Sequence, residues 1–235
     1  MKLLEVKNLT KRFGEFTAVN DVTLSLEKGE ITSIIGPNGA GKTTFLRLLS
    51  GELAPTEGEI IFKGENITRC SFYKTAIRGI SRCFQVPFVF DSLSVIDNLK
   101  VAGKVNNLEK TVLNEKCEKL LERVGMLSQK NQKVGELAHG GKRILELCMS
   151  FIQEHDLLLS DEIVAGLTES EVTLVDGLIK ERAKSCTPLV VEHRLEFVFG
   201  LSDRVITMNN AEIIADGSPE EIKNSEKVRK AYYGE

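Results

Sequence analysis

The chain has 235 residues, of which 42% are hydrophobic and 28% charged, and its formal net charge is −3. That length gives a sizeable core in one large domain or two small ones, the balance is that of a soluble globular protein, and the slightly acidic charge offers no global basic field for nucleic acid. No apolar run reaches the roughly 18 residues that cross a bilayer, and Met1 to Lys7 is too charged for a secretory leader, so a membrane role is expected only through a partner.

In chain order, residues 4–6 and 18–26 alternate in part between apolar and polar, and predict antiparallel strands before the turn Lys28-Gly29-Glu30. Phe13, in Lys11-Arg12-Phe13-Gly14, is a flat ring that could stack on a base; an isolated aromatic beside glycine is more often core or turn. Residues 31–35 form a short β-branched run, read as a buried strand. Directly after it stands Gly36-Pro37-Asn38-Gly39-Ala40-Gly41-Lys42-Thr43-Thr44, the P-loop pattern. A polyphosphate needs donors at close range. Backbone N–H groups supply them where no side chain blocks the approach, hence Gly39 and Gly41. A helix starting here, residues 45–49 with Gly51 as its stop, aims its positive end at the anion. Lys42 adds a full charge for the β- and γ-phosphates, and the Thr43 hydroxyl is placed to ligate Mg²⁺.

Residues 59–64 read as a strand and turn, and residues 79–84 as a strand followed by Gln85. A glutamine leaving a strand could orient a water or a metal, or be a plain loop amide. From about residue 88 to 153 the pattern becomes helical: Leu108, Val112, Leu113, Cys117, Leu120, Leu121 and Val124 share one face, with Gly125 as the stop. This stretch is expected to be a helical subdomain inserted between halves of a parallel sheet. Leu137-Ala138-His139-Gly140-Gly141 precedes a helix over residues 142–152, either a second anion site or an ordinary helix entry. Residues 157–162, Leu157-Leu158-Leu159-Ser160-Asp161-Glu162, form a buried strand that delivers two acids to a sheet edge. Asp161 is suited to hold Mg²⁺, and Glu162 to act as general base on a water. Thr168-Glu169-Ser170-Glu171 is a capping box for a helix reaching about Ala183. Residues 189–192 are the next strand, with His193 at its exit as a γ-phosphate contact; His139 and His155 have no assigned role. Two closing strands flank Asn209-Asn210, and residues 219–233 are expected to be helical. The five cysteines, Cys70, Cys83, Cys117, Cys148 and Cys186, are odd in number and scattered, which favours reduced thiols in a cytosolic protein over a disulfide framework or a metal site.

These pieces in this order resemble the ATP-binding-cassette (ABC) ATPases over nearly the whole chain. Phe13 matches the adenine-stacking aromatic, residues 36–44 the Walker A loop, Gln85 the Q-loop, residues 137–141 the signature, residues 157–162 Walker B, Ala165-Gly166-Leu167-Thr168 the D-loop and His193 the switch histidine. The resemblance implies an α/β fold: a P-loop NTPase (RecA-like) core with an N-terminal antiparallel β subdomain, residues 1–87 and 154–235, and an inserted α-helical subdomain, residues 88–153. It implies ATP and Mg²⁺ as ligands, with Lys42, Gln85, Glu162 and His193 catalytic and Thr43, Gln85 and Asp161 around the metal. It further implies a head-to-tail homo- or heterodimer, in which Ala138, Gly140 and Gly141 close over the partner's ATP, and integral membrane permease subunits that hold the chain on the cytoplasmic face of the membrane. There are departures: Ala138 replaces the signature serine, Gly141 its glutamine, Ile163 the proline after Walker B and Thr168 the D-loop aspartate. Within the family, Phe84-Gln85, Ala165-Gly166-Leu167, Glu192-His193-Arg194 and the ending Ala231-Tyr232-Tyr233-Gly234-Glu235 are similar to the ATPases of branched-chain amino acid or urea importers, and of lipopolysaccharide exporters. The interval from Gln85 to Leu137, 52 residues, is short for one of the paired amino-acid ATPases. A soluble ABC module without transport is the alternative of a different class.

Overall fold

A computed structural model describes residues 1–104 and 109–233. Two sheets organise it. The first is antiparallel, in the order β2 (Phe16–Glu27), β1 (Lys2–Phe13), β4 (Glu57–Phe62), β5 (Glu65–Asn66). β1 and β2 are longer than the alternation predicts, because bulges interrupt it. Asn8 and Asp21 both take left-handed backbone, φ 49° each, and bond to each other side chain to side chain at 2.8 Å. The second sheet has the order β10 (Glu212–Gly217), β9 (Arg204–Asn209), β3 (Thr32–Ile35), β8 (Thr187–Val191), β7 (Leu157–Asp161), β6 (Ile80–Cys83). All its pairs are parallel except β9–β10, which turn at Asn210 and Ala211.

β3, β7 and β8 are buried at every residue, as expected for parallel strands covered on both faces. One apolar cluster fills the space between the sheets: Leu4, Val6 and Ile60 from the first face Ile34, Leu157, Leu159 and Leu189 from the second, with Phe45 and Leu49 of α1 (Lys42–Leu49) between them. α2 (Phe72–Ile77), a short helix before β6, lies where no element was expected.

Between β6 and β7 the described chain is helical: α3 (Val95–Gly103), α4 (Lys110–Arg123) and α5 (His139–Ile152), with 3₁₀ turns at Leu127–Gln129 and Val134–Glu136. The expected stripe on α4 holds at Leu113, Cys117 and Leu121, with Val124 buried at the helix end and Leu120 packed partly buried against the same cluster, while Val112 is 42% exposed and Leu108 lies outside the described residues. This region shares its core with the sheet. Leu99, Leu121, Leu145 and Cys148 belong to one cluster with Leu158, Val190 and Val175 of α6 (Glu169–Arg182). α6 opens on the predicted capping box, with Thr168 as N-cap. After α7 (Leu195–Leu201) and the β9–β10 hairpin, the C-terminal stretch is two helices, not one: α8 (Pro219–Asn224) and α9 (Glu226–Tyr233), separated by Ser225 in extended backbone. Cys83, Cys117, Cys148 and Cys186 are buried, and Cys70 is half-buried.

Candidate nucleotide site

The parallel order decides where chemistry can gather. β6, β7, β8 and β3 run the same way and pair in register, Cys83 with Ser160, Asp161 with Val191 and Ile34 with Val191. The residues just past their C-terminal ends therefore meet at one sheet edge. Those residues are Gly36 to Thr44, Gln85, Glu162 and His193. A cleft of about 790 Å³ is lined by residues 38–44, Gln85, Glu162 and His193, closed on its far side by Phe16 and Ala18. That is room for a nucleotide.

Gly41, φ 99°, precedes α1, and no side chain caps the helix, so its first N–H groups stay open to an anion. A side chain on Gly41 would drive into the Ala18 carbonyl, and one on Gly36 into that of Met208. The loop thus lies flat against β2 and β9 only because these residues are glycine. Lys42 is 6% exposed and donates to the carbonyls of Gly36 at 2.7 Å and Pro37 at 2.9 Å. Burial pushes its ammonium below the ordinary range, and Glu162 and Asp161 pull it back.

Asp161 is 1% exposed; its Oδ1 accepts the Thr43 hydroxyl at 3.5 Å, and its buried Oδ2 has no hydrogen-bond donor, only the Arg82 guanidinium 3.8 Å away. Burial raises its pKa, against the pull of Thr43, Arg82 and Lys42. An orphaned carboxylate oxygen in a pocket that Thr43 and Gln85 also line offers hard oxygen donors of the kind that fit Mg²⁺. Arg82, itself 4% exposed in its side chain, is held by Glu52.

Glu162 carries the densest contacts. Its Oε1 meets His193 Nε2 at 2.8 Å, and its Oε2 accepts from Gln85 Nε2 at 2.9 Å. Its own backbone is left-handed, φ 53°, fixed by an N–H bond to the Val191 carbonyl at 2.8 Å. Non-glycine residues reach this region at a cost and are found in it at working sites. Behind it, Glu192 is 2% exposed and accepts from the N–H groups of Val164 at 2.8 Å and His193 at 3.3 Å. Burial carries its pKa up to about 7 despite those donors.

Two sets of expected residues fall elsewhere. Phe13 does not line the cleft. It is the cross-strand partner of Phe16 at the hairpin tip, and its ring is covered by the Lys11 ammonium 5.0 Å from the centroid. Phe16, 63% exposed, is the aromatic on the wall. Ala138, Gly140 and Gly141 are not brought to the P-loop of their own chain. Ala138 is the N-cap of α5, and Ala138 and Gly141 line a different cleft with Gly125, Met126, Ser170 and Glu171. Gly140 lies against the Glu171 carboxylate, which a Cβ there would push aside. Thr168, the odd residue of the D-loop, is explained locally: its hydroxyl accepts the Glu171 N–H at 3.4 Å and Glu171 accepts the Thr168 N–H at 2.8 Å. His139 lies beside Gly166, and His155 is buried and kept neutral, its pKa pushed down to about 3.

The sequence reading missed Arg82, Arg143, Glu146 and Glu192, all buried and charged. The available signal was a mismatch of pattern. Arg143 and Glu146 sit among Ile144, Leu145, Leu147 and Cys148 of a helix whose face is core, and a charge there needs a specific partner.

The ABC transporter family profile matches residues 19–165, and a profile for branched-chain amino acid ATP-binding cassette transporters matches residues 212–235. The high-affinity branched-chain amino acid transport ATP-binding protein LivG of Salmonella typhimurium is 37% identical, the match covering 99% of this chain and 98% of that protein. The similarly described BraF of Pseudomonas aeruginosa is 36% identical over the same shares, the short Gln85–Leu137 interval notwithstanding. Among solved structures, a nucleotide-free ATP-binding cassette from an ABC transporter superposes with a TM-score of 0.87 at 32% identity, and the ADP conformation of MJ1267, an ATP-binding cassette of an ABC transporter, with 0.87 at 31%, each over the full length of both chains.

Proposed function

The chain belongs to the ABC transporter family as an ATP-binding cassette, and we propose that it hydrolyses ATP to drive membrane subunits that import branched-chain amino acids. The observation that carries the chemistry is the convergence on one cleft of Lys42, Gln85, Glu162 and His193, each from the end of a different strand or its following loop. The α1 N-terminus and Lys42 hold the β- and γ-phosphates, and Phe16 at the hairpin tip offers the base an apolar wall. Glu162 takes a proton from water as its oxygen attacks the γ-phosphorus; the bond to the β-bridging oxygen breaks, and ADP and phosphate leave. Gln85 orients that water and the Glu162 carboxylate. His193 holds the other carboxylate oxygen and reaches the γ-phosphate. Thr43, Asp161 and Gln85 would hold Mg²⁺, which supplies charge neutralisation at the phosphate oxygens.

The cleft of Ala138 and Gly141, remote from the chain's own P-loop, supports a head-to-tail dimer in which each signature segment closes over the partner's nucleotide. Ala138 has no hydroxyl to offer there, so the contact rests on the backbone N–H groups opening α5. Residues 1–87 with 154–235 act as the catalytic core and residues 88–153 as the helical part that presents the signature. Among the described residues no helix is long and apolar enough to cross a membrane. The permease contact is the aromatic chain Phe84, Phe88, Phe90, with centroids 6.0 and 6.1 Å apart; Phe88 is 65% exposed and Val86 77%. Exposed apolar patches of this kind mark interfaces. The chain thus works at the cytoplasmic face through its partners. The amino-acid substrate is supported by the C-terminal profile and the LivG and BraF relatives.

The reading is tested by ATP binding to Lys42→Ala. Loss of a charge-assisted contact costs about 1.5–3 kcal/mol, roughly ten- to a hundredfold in Kd. Wild-type affinity in the variant would remove the P-loop assignment.

A further inference from the structure

β6 pairs with β7 as far as Cys83 opposite Ser160, and there the ladder ends. The next residues, Phe84 to Phe88, leave the sheet with backbone donors and acceptors that no strand satisfies. Two side chains one turn apart on α5 satisfy four of them instead. Arg143, 1% exposed, donates to the carbonyls of both Phe84 and Gln85. Glu146, 5% exposed, accepts from the N–H groups of Phe84 at 3.1 Å and Phe88 at 3.0 Å. The two side chains are themselves paired at 3.3 Å. The segment is therefore gripped on both polar edges by one guanidinium and one carboxylate.

This divides the positioning of the cleft between two bodies. Glu162 is placed by β7 and by its bond to Val191 of β8, thus by the sheet. Gln85, which reaches Glu162 across 2.9 Å, is placed by α5, the helix that opens at Ala138. We infer that Arg143 and Glu146 are positioning residues that set the Gln85–Glu162 contact from α5. The inference rests on the hydrolytic reading of the cleft. The geometry favours it over a filler role for the pair: a helix needs no buried ion pair to pack, and a buried pair is a poor source of stability.

The test is a double-mutant cycle on the full-length chain with Mg-ATP. Arg143→Lys keeps the charge but loses the fork that spans two carbonyls, and Glu146→Gln keeps the shape. Each is expected to lower kcat roughly ten- to a hundredfold, the order expected for a misplacement of about 1 Å, while the ATP Kd stays within about twofold. In a Gln85→Ala background the same replacements are expected to add nothing, because the group they position is gone. Faster amide exchange at Phe84 and Phe88 in Glu146→Gln is the accompanying structural readout. Factors that multiply with Gln85→Ala, or a loss carried by Kd with kcat unchanged, would overturn the inference. Absence of any hydrolysis by the wild-type chain would instead overturn the functional reading on which it stands.

Discussion

Replacing Glu162 by glutamine exchanges one carboxylate oxygen for an amide and leaves the volume unchanged. The present contacts show what this does to the fold. Oε2 accepts from Gln85 at 2.9 Å and Oε1 faces His193 Nε2 at 2.8 Å. A glutamine oxygen can keep the first contact, and its amide can donate to a neutral imidazole in the second. The side chain is 23% exposed, so the stability cost stays below about 1 kcal/mol. Nucleotide affinity should hold or rise, because one negative charge leaves the neighbourhood of the phosphates. Catalysis is different, since an amide cannot take the proton of the attacking water. A general base is worth about 10²–10⁴ in rate, or ~2.7–5.5 kcal/mol of barrier. The assay is phosphate release at saturating Mg-ATP, with equilibrium binding measured on the same sample. Unconsumed ATP should then hold two copies together, read by light scattering. Phosphate release within a few-fold of wild type would refute the assignment of the base, and a monomer under trapped ATP would refute the head-to-tail dimer.

Further outcomes follow from other contacts. Phe88→Asp, at a 65% exposed ring, should shift stability by no more than about 0.5 kcal/mol and leave ATP binding intact, yet abolish co-purification with the membrane subunits; normal assembly would place the docking surface elsewhere. Glu192, held up to about 7 by burial, binds its proton more tightly folded than unfolded. Its contribution is complete below the ordinary glutamate range and is lost as pH rises towards and past 7, up to about 3 kcal/mol by pH 8. Glu192→Gln mimics the protonated form, so its chemical-denaturation midpoint should exceed that of wild type at pH 8 and converge with it near pH 4; parallel curves would show that Glu192 does not titrate in this range.

The site was legible wherever its logic is local. Gly36 to Thr44 announces itself because a β-branched run, a glycine loop and a helix lie within one short stretch. Asp161, Glu162 and His193 could be placed at one edge because parallel strands that read as unbroken apolar runs must end together. Thr168 could be recognised as a cap from the spacing to Glu171 alone. What could not be read depended on distant backbone. Arg143 and Glu146 look like any charged pair on a helix until the carbonyls and N–H groups of Phe84, Gln85 and Phe88 arrive beneath them. The choice between Phe13 and Phe16 turns on how a hairpin tip leans over the cleft. The length of β1 was hidden because bulges at Asn8 and Asp21 break the alternation that marks a strand, and the split of the C-terminal helix at Ser225 leaves no proline or glycine to show it.

The left-handed backbone of Glu162, at φ 53°, sets evolution of this chain against itself. At that position glycine would relax roughly 1–3 kcal/mol of main-chain strain, less the freedom that it adds to the unfolded chain. It would also delete the group proposed to accept water's proton. The native state therefore keeps strain at the residue to which the proton transfer is assigned by proposal. Selection for heat resistance alone, with turnover left unmeasured, would drift toward a sturdier protein that binds its fuel and never burns it.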